Sequence, residues 1–278
     1  MEMYSVLMSV YWKEKPDYLL TAIESMTKQT IPFHDFVLVC DGSLTDALTK
    51  TIDRANKIIK AMPTHPVFTV VPLTNHSGLG SALNIGLNYC QCDLIARMDS
   101  DDISLPNRCE RQLKQFELSP NLSIVSGTII EFSKSISEHG KCRKLPENQD
   151  DIVKFAKSRN PFNHPCVMYR KSAVIAAGSY RKDYPYFEDY DLWLRMLWNG
   201  AMGYNIPEPL LYMRAGNSMY KRRGGSEHFQ SAKKLFSEMK QKGFITSKQY
   251  YKTLTKRWMG DHMPNKLRSF LYQKLLRN

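Results

Sequence analysis

Residues 94–102 read LIARMDSDD. An apolar run of strand length breaks off into three carboxylates within four positions, Asp99, Asp101 and Asp102. The same shape recurs upstream. Residues 36–43, FVLVCDGS, end an apolar run on Asp41 and a turn. Residues 5–10 (SVLMSV) and 67–71 (VFTVV) add two further strands. Between these runs the apolar period switches to that of a helix. Leu19, Leu20, Ile23 and Met26 mark one over 17–28, helical sequence runs to about Ile59, and Leu83 and Leu87 follow Ser77-Gly78-Leu79-Gly80. Strand alternating with helix at this interval predicts an α/β fold with a doubly wound, mainly parallel central sheet flanked by helices. Ligands gather beyond the carboxyl ends of such strands. Asp41 and Asp99 both sit there.

Downstream the pattern is less regular. Residues 122–131 read as a strand, 132–150 as a polar loop, 164–170 as a strand and 189–197 as a helix. After Arg214 the character changes. Residues 226–240 and 266–277 have helical spacing, the latter with Leu267, Phe270, Leu271 and Leu275 on one side.

Charge follows the same division. The chain of 278 residues carries a net charge of +12. Residues 221–278 hold 15 Lys and Arg against 3 Asp and Glu, so the whole excess lies there and residues 1–220 are neutral. We expect a body over 1–220, with a nucleotide-binding part to about 105, and a basic helical extension over 221–278. A basic extension suits an anionic partner, a membrane surface, nucleic acid or diphosphate, ahead of the plainer alternative of a solvated helical surface. No run approaches the roughly eighteen apolar residues that a spanning helix needs. Met1-Glu2-Met3-Tyr4 lacks the layout of a signal peptide, and the six scattered cysteines match no zinc spacing, so reduced cytoplasmic thiols are expected.

Clustered carboxylates repel one another, and a cation among them relieves this. Asp99 and Asp101, two apart on an extended segment, share a face and can reach one hard divalent ion. The competing reading is an acidic turn with Asp102 as a helix cap. Glu188-Asp189 opens an amphipathic helix, where a carboxylate can take a proton from an incoming hydroxyl or simply complement the helix dipole. Asp41 can accept the imide N–H of uracil or start a turn. His164, before a proline, can contact substrate or bond to backbone. Gly78 and Gly80 form neither a dinucleotide fingerprint nor a P-loop, and no Gly-x-Ser-x-Gly elbow is present.

In order along the chain stand SVLMSVYW, Gln29-Thr30, LVCDGS, NHSGLGSALNIGL, LIARMDSDDISLPNR, HPCVMYRKSAV and FEDYDLWLR. Together they resemble family 2 of the nucleotide-sugar glycosyltransferases, of GT-A fold, over about residues 4–214. The wording is most similar to bacterial enzymes that assemble O-antigen and capsule repeat units. The resemblance implies that Ser9 and Tyr11 line the base pocket and Asp41 binds uracil. Asp99 and Asp101 become the D-x-D pair for ribose and a metal–diphosphate, with Mn²⁺ or Mg²⁺. Asp102 supports that loop, Asp189 is the general base with Glu188 beside it, and His164 lies near the acceptor.

Two departures stand out. Cys40 replaces the first of two acids at the base site. Ala215-Gly216-Asn217 follows Tyr212-Met213-Arg214 where relatives carry a metal-binding histidine. Arg222 and Arg223 follow closely, and we expect them to neutralise the diphosphate instead.

The expected activity is inverting, metal-dependent transfer of a hexose from a UDP-sugar, galactose first and glucose second, with a β1,3 linkage. The expected acceptor is a sugar on a polyprenyl diphosphate at the inner face of the plasma membrane, with the basic C-terminal helices on its anionic surface. A sugar-1-phosphate nucleotidyltransferase is the first alternative, but it calls for a glycine-rich loop where Tyr11-Trp12-Lys13-Glu14 stands. A nucleic-acid binder is the second. It leaves the acid clusters unexplained, because they repel phosphate, and no nucleic-acid partner is expected.

Overall fold

A computed structural model describes residues 2–133, 136, 140–215 and 225–262. Arg222, Arg223 and the segment 266–277 lie outside the described residues.

One sheet organises the chain. Its parallel half has β1 (Tyr4–Val10), β2 (Asp35–Cys40), β3 (Val67–Pro72) and β4 (Leu94–Asp99) in the order β3-β2-β1-β4. The sheet continues through β8 (Met168–Arg170), β6 (Leu122–Phe132) and β9 (Met202–Arg214) to β5 (Ile103–Ser104), with β7 (Lys141–Arg143) paired to β6. β8 runs antiparallel to both β4 and β6, whereas β6 and β9 are parallel over their long pairing. The expected α/β class and mainly parallel sheet are therefore what the chain forms, with antiparallel strands added beyond β4.

Helices cover both faces. On one, α1 (Pro16–Thr27), α2 (Asp46–Lys60) and α4 (Arg108–Leu118) bury Ile23, Ile52 and Leu113 against Val6 and Met8. On the other, α3 (Leu79–Leu87), α5 (Gln149–Ala156), α6 (Lys171–Ala176) and α7 (Glu188–Trp198) enclose Leu83, Ile152, Val174 and Trp193. Alternate β1 side chains point to opposite faces, which places Leu7 in this second core. α3 comes unusually close to the sheet at Gly86. A Cβ there would lie 2.4 Å from Leu7 Cδ1 and 2.7 Å from Val39 Cγ2.

Two expectations change in detail. The loop expected over 132–150 contains β7 and the start of α5. The strand expected over 164–170 is a 3-10 turn, His164–Cys166, followed by short β8, because Pro165 cannot donate to a ladder.

The C-terminal part packs on the body. α8 (Ser226–Gln241) buries Ala232, Leu235, Phe236 and Met239 against Tyr184, Phe187, Tyr190 and Leu194 at the start of α7. Full burial of each large apolar chain contributes about 1.5–3 kcal/mol. α9 (Ser247–His262) adds Leu254 to this cluster. Among the described residues no helix is long and apolar enough to cross a membrane.

Candidate active site

The sheet sets the site. Ser9, near the end of β1, lies opposite Val39 of β2 on one side and Asp99 of β4 on the other. Asp41 follows one residue after β2. The three positions thus share one rim, at the carboxyl ends of adjacent parallel strands.

Asp41 is buried, and its carboxylate faces the loop that leads into α3. Oδ1 accepts from the Ser77 backbone N–H at 2.6 Å and the Ser77 hydroxyl at 3.0 Å. Oδ2 accepts from the Gly78 N–H at 3.0 Å and lies 2.8 Å from His76 Nδ1. Four contacts match the lone-pair capacity of a carboxylate. In this structure Asp41 holds the 76–78 loop. Tyr11 lies on the same rim, its ring stacked on His76 at 5.9 Å and 24°. Gly42, at φ +87°, lets the chain pass beneath that loop, since a Cβ would be 3.0 Å from the His76 nitrogen.

Asp99 is held by Arg97, whose guanidinium is buried within β4. One nitrogen donates to Asp99 Oδ2 at 3.0 Å and the second to Oδ1, a bidentate pair. Arg97 is braced in turn by Arg108 of α4, which donates to the Arg97 carbonyl at 2.7 Å and the Val167 carbonyl at 3.1 Å. Neither arginine stood out in the sequence. A lone cation inside an apolar run reads as noise until its carboxylate partner is located.

The turn after β4 is pinned to the end of β9. Ile103 pairs with Tyr212, the Arg214 N–H donates to Asp102 Oδ1 at 2.7 Å, and Arg214 Nε donates to the Asp101 carbonyl at 3.0 Å. Asp102 is fully buried and its Oδ2 has no hydrogen-bond partner. Its Oδ1 bond ties the turn to the end of β9. Burial first, then the charges of Asp99 and Glu14, push Asp101 up to about 7. Ser100 ties Glu14 to the same turn at 2.9 Å.

This corner has more acid than base, which fits a hard divalent cation. Among the described residues no three His, Cys, Asp or Glu side chains are grouped as a metal cage. Asp99 and Asp101 would supply two carboxylates, and Mg²⁺-like ions commonly take the remainder from water and substrate phosphates.

Across the mouth stands the start of α7. Glu188 and Asp189 occupy its first turn, where the helix dipole favours negative charge. Asp189 Oδ1 accepts the Tyr190 N–H at 2.7 Å, and Oδ2 accepts from Asn160 Nδ2 at 2.6 Å. Burial raises Asp189, and those two donors oppose the rise. Glu188 is pushed up to about 7 by burial and then by Asp189, with Arg97 opposing. A Cβ on Gly80 would lie 3.7 Å from Glu188 Cβ. Glu188 therefore overhangs the first turn of α3, just past the loop that Asp41 holds.

His164, expected near the acceptor, is packed between Tyr180 and Trp193. It is 9% exposed, with Nε2 2.9 Å from the Tyr180 hydroxyl and its ring edge-on to Trp193. Burial and the nearby Arg97 hold it well below the usual histidine range. Tyr180 is clamped to α3 by reciprocal bonds with Asn84 at 2.8 and 2.9 Å.

Residues 5–178 match the family described as "Glycosyl transferase family 2". The chain is 40% identical over 277 residues, covering 98% of each chain, to the "Amylovoran biosynthesis glycosyltransferase AmsE" of Erwinia amylovora. It is 34% identical over 274 residues to a "UDP-Gal:alpha-D-GlcNAc-diphosphoundecaprenol beta-1,3-galactosyltransferase" of Escherichia coli, covering 99% of this chain and 96% of the relative. Among solved structures, a mannosyltransferase from Pyrobaculum calidifontis in complex with GDP-Man and Mn²⁺ superimposes with a TM-score of 0.64 at 14% identity. That match covers 96% of this chain and 72% of the other. Residues 1–349 of S. aureus TarS, in complex with UDP, superimpose with a TM-score of 0.63 at 14% identity, covering 98% and 75%. At that identity the two structures speak for the GT-A fold.

Proposed function

The chain belongs to glycosyl transferase family 2 and is a glycosyltransferase, and from that premise we propose that it transfers galactose from UDP-galactose to a sugar carried on a polyprenyl diphosphate, with inversion and a β1,3 linkage. Glucose is the second choice of donor sugar. The product belongs to a bacterial surface polysaccharide. The observation that carries this reading is the opposition of two acid groups. Asp99 and Asp101 end a strand, Glu188 and Asp189 start a helix, and Arg97 lies buried between them.

In this reading Ser9, Tyr11 and the loop held by Asp41 form the base pocket. Asp99 and Asp101 would hold Mn²⁺ or Mg²⁺, which when bound supplies positive charge to the diphosphate. Asp189 accepts the proton of the acceptor hydroxyl as that oxygen attacks C1 of the sugar. The bond from C1 to the diphosphate oxygen breaks and UDP leaves from the opposite face. Asn160 keeps the Asp189 carboxylate turned in one direction. Glu188 beside it raises the local demand for a proton. The lipid-linked acceptor brings the enzyme to the inner membrane surface. The printed activity of the Escherichia coli relative supports the choice of donor, acceptor and linkage.

Asp189→Asn tests the base. General-base assistance is worth about 10²–10⁴-fold. The variant should lose turnover by that factor while calorimetry gives an unchanged affinity for UDP. Near wild-type turnover would remove Asp189 from the role.

A further inference from the structure

Arg214, the last residue of β9, stands beside the acid corner, and described residues engage its two faces and its Nε. Its guanidinium carbon lies 3.7 Å from the centre of the Tyr18 ring and 4.5 Å from that of Phe132. Aromatic rings that close to a guanidinium engage its faces. Nε is taken by the Asp101 carbonyl and the backbone N–H by Asp102 Oδ1. What remains is the edge that carries the two Nη nitrogens, with no hydrogen bond to another described residue. Such an edge presents parallel N–H donors at the spacing of two oxygens on one phosphate. The side chain is only half-buried. Arg97, the other guanidinium of the corner, already has its bidentate partner in Asp99.

We propose that Arg214 is a further catalytic residue, whose Nη edge binds the diphosphate oxygens of the nucleotide donor and stabilises the departing UDP. This rests on the glycosyltransferase reading above and deepens it. A fixed cation on the leaving group is worth most at the transition state, where negative charge grows on the bridging oxygen. The position also explains how the corner holds a dianionic group next to Asp99 and Asp101. Arg214 contributes positive charge from the strand end, separately from any metal.

Calorimetry with UDP and with uridine tests the assignment, using the full chain and Arg214→Ala and Arg214→Lys. Uridine lacks the diphosphate and reports the base and ribose contacts alone. Loss of a charge-assisted bidentate contact corresponds to about 10–100-fold in affinity. The prediction is that Arg214→Ala weakens UDP by that factor and changes uridine by less than about 2-fold, with Arg214→Lys in between. Equal weakening of UDP and uridine would mean that Arg214 only staples the turn, and would overturn the proposal. Unchanged UDP affinity would overturn it as well. Wild-type protein that binds UDP no better than uridine would instead contradict the nucleotide-sugar reading itself.

Discussion

At the scale of single residues, the site is a problem of protons in a crowded recess. Glu188 and Asp189 are both raised above ordinary carboxylic acids, chiefly by burial, and Glu188 reaches about 7. Asp189 must be deprotonated in the free enzyme to act as a base, so kcat/KM should rise with pH through a limb above the ordinary carboxylate range and then level off. Glu188→Gln removes a like charge next to Asp189. The limb should then move to lower pH, because one carboxylate no longer opposes ionisation of the other. A kcat/KM profile over about pH 5–9 checks this. A limb that stayed in place in Glu188→Gln would show that the pair does not share its protonation. The sequence made the acids of this site legible, since clustered carboxylates at element ends are conspicuous. It did not reveal Arg97, Arg108 or Arg214. Each is a single cation whose meaning depends on a partner brought from elsewhere in the fold. Nor did it reveal that Asp41 and His164 are satisfied internally. The hydrogen bonds that occupy them come from Ser77, Gly78 and Tyr180, which only the tertiary structure places nearby.

At the scale of elements, α7 is the component whose position matters most, since it carries Glu188 and Asp189. It is fixed by a buried ion cluster one turn further on. Asp191, 1% exposed at its side chain, accepts from Arg195 at 2.8 and 3.0 Å and from Arg181, which also reaches Glu238 of α8 at 2.9 Å. Removing one member of a buried pair leaves uncompensated charge, at a cost of about 3–5 kcal/mol. Asp191→Ala should therefore lower stability by that amount, read as a reduced midpoint in urea unfolding. A midpoint equal to wild type would mean that the cluster does not fix the helix. The elements themselves were unevenly readable. The parallel half follows from alternation of apolar runs, and its strands fall within a residue or two of expectation. β9 was not anticipated, although it has 13 residues. Pro207 and Pro209 interrupt its sequence, and proline argues against an interior strand. The structure accommodates them at a register shift against β6, between the pairs Gly127–Ile206 and Thr128–Pro209.

At the scale of the whole molecule, the +12 charge is distributed differently from the chemistry. The carboxylates proposed to react lie on a neutral body, and the excess lysines and arginines lie after residue 220. Yet α8 is not an independent appendage. Its apolar face completes a core with the helix that bears the proposed base. The C-terminal helices therefore pack on the helix that bears the proposed base, and the central claim concerns the product that the proposed site forms. The measurement that tests it most directly is UDP release from UDP-Gal, UDP-Glc, UDP-GalNAc and UDP-GlcNAc in the presence of a lipid-diphosphate GlcNAc acceptor. The account predicts acceptor-dependent release, fastest with UDP-Gal, and a disaccharide product whose new bond has the inverted, β configuration. Product that retained the α configuration, or no acceptor-dependent release from any of the four donors, would contradict it.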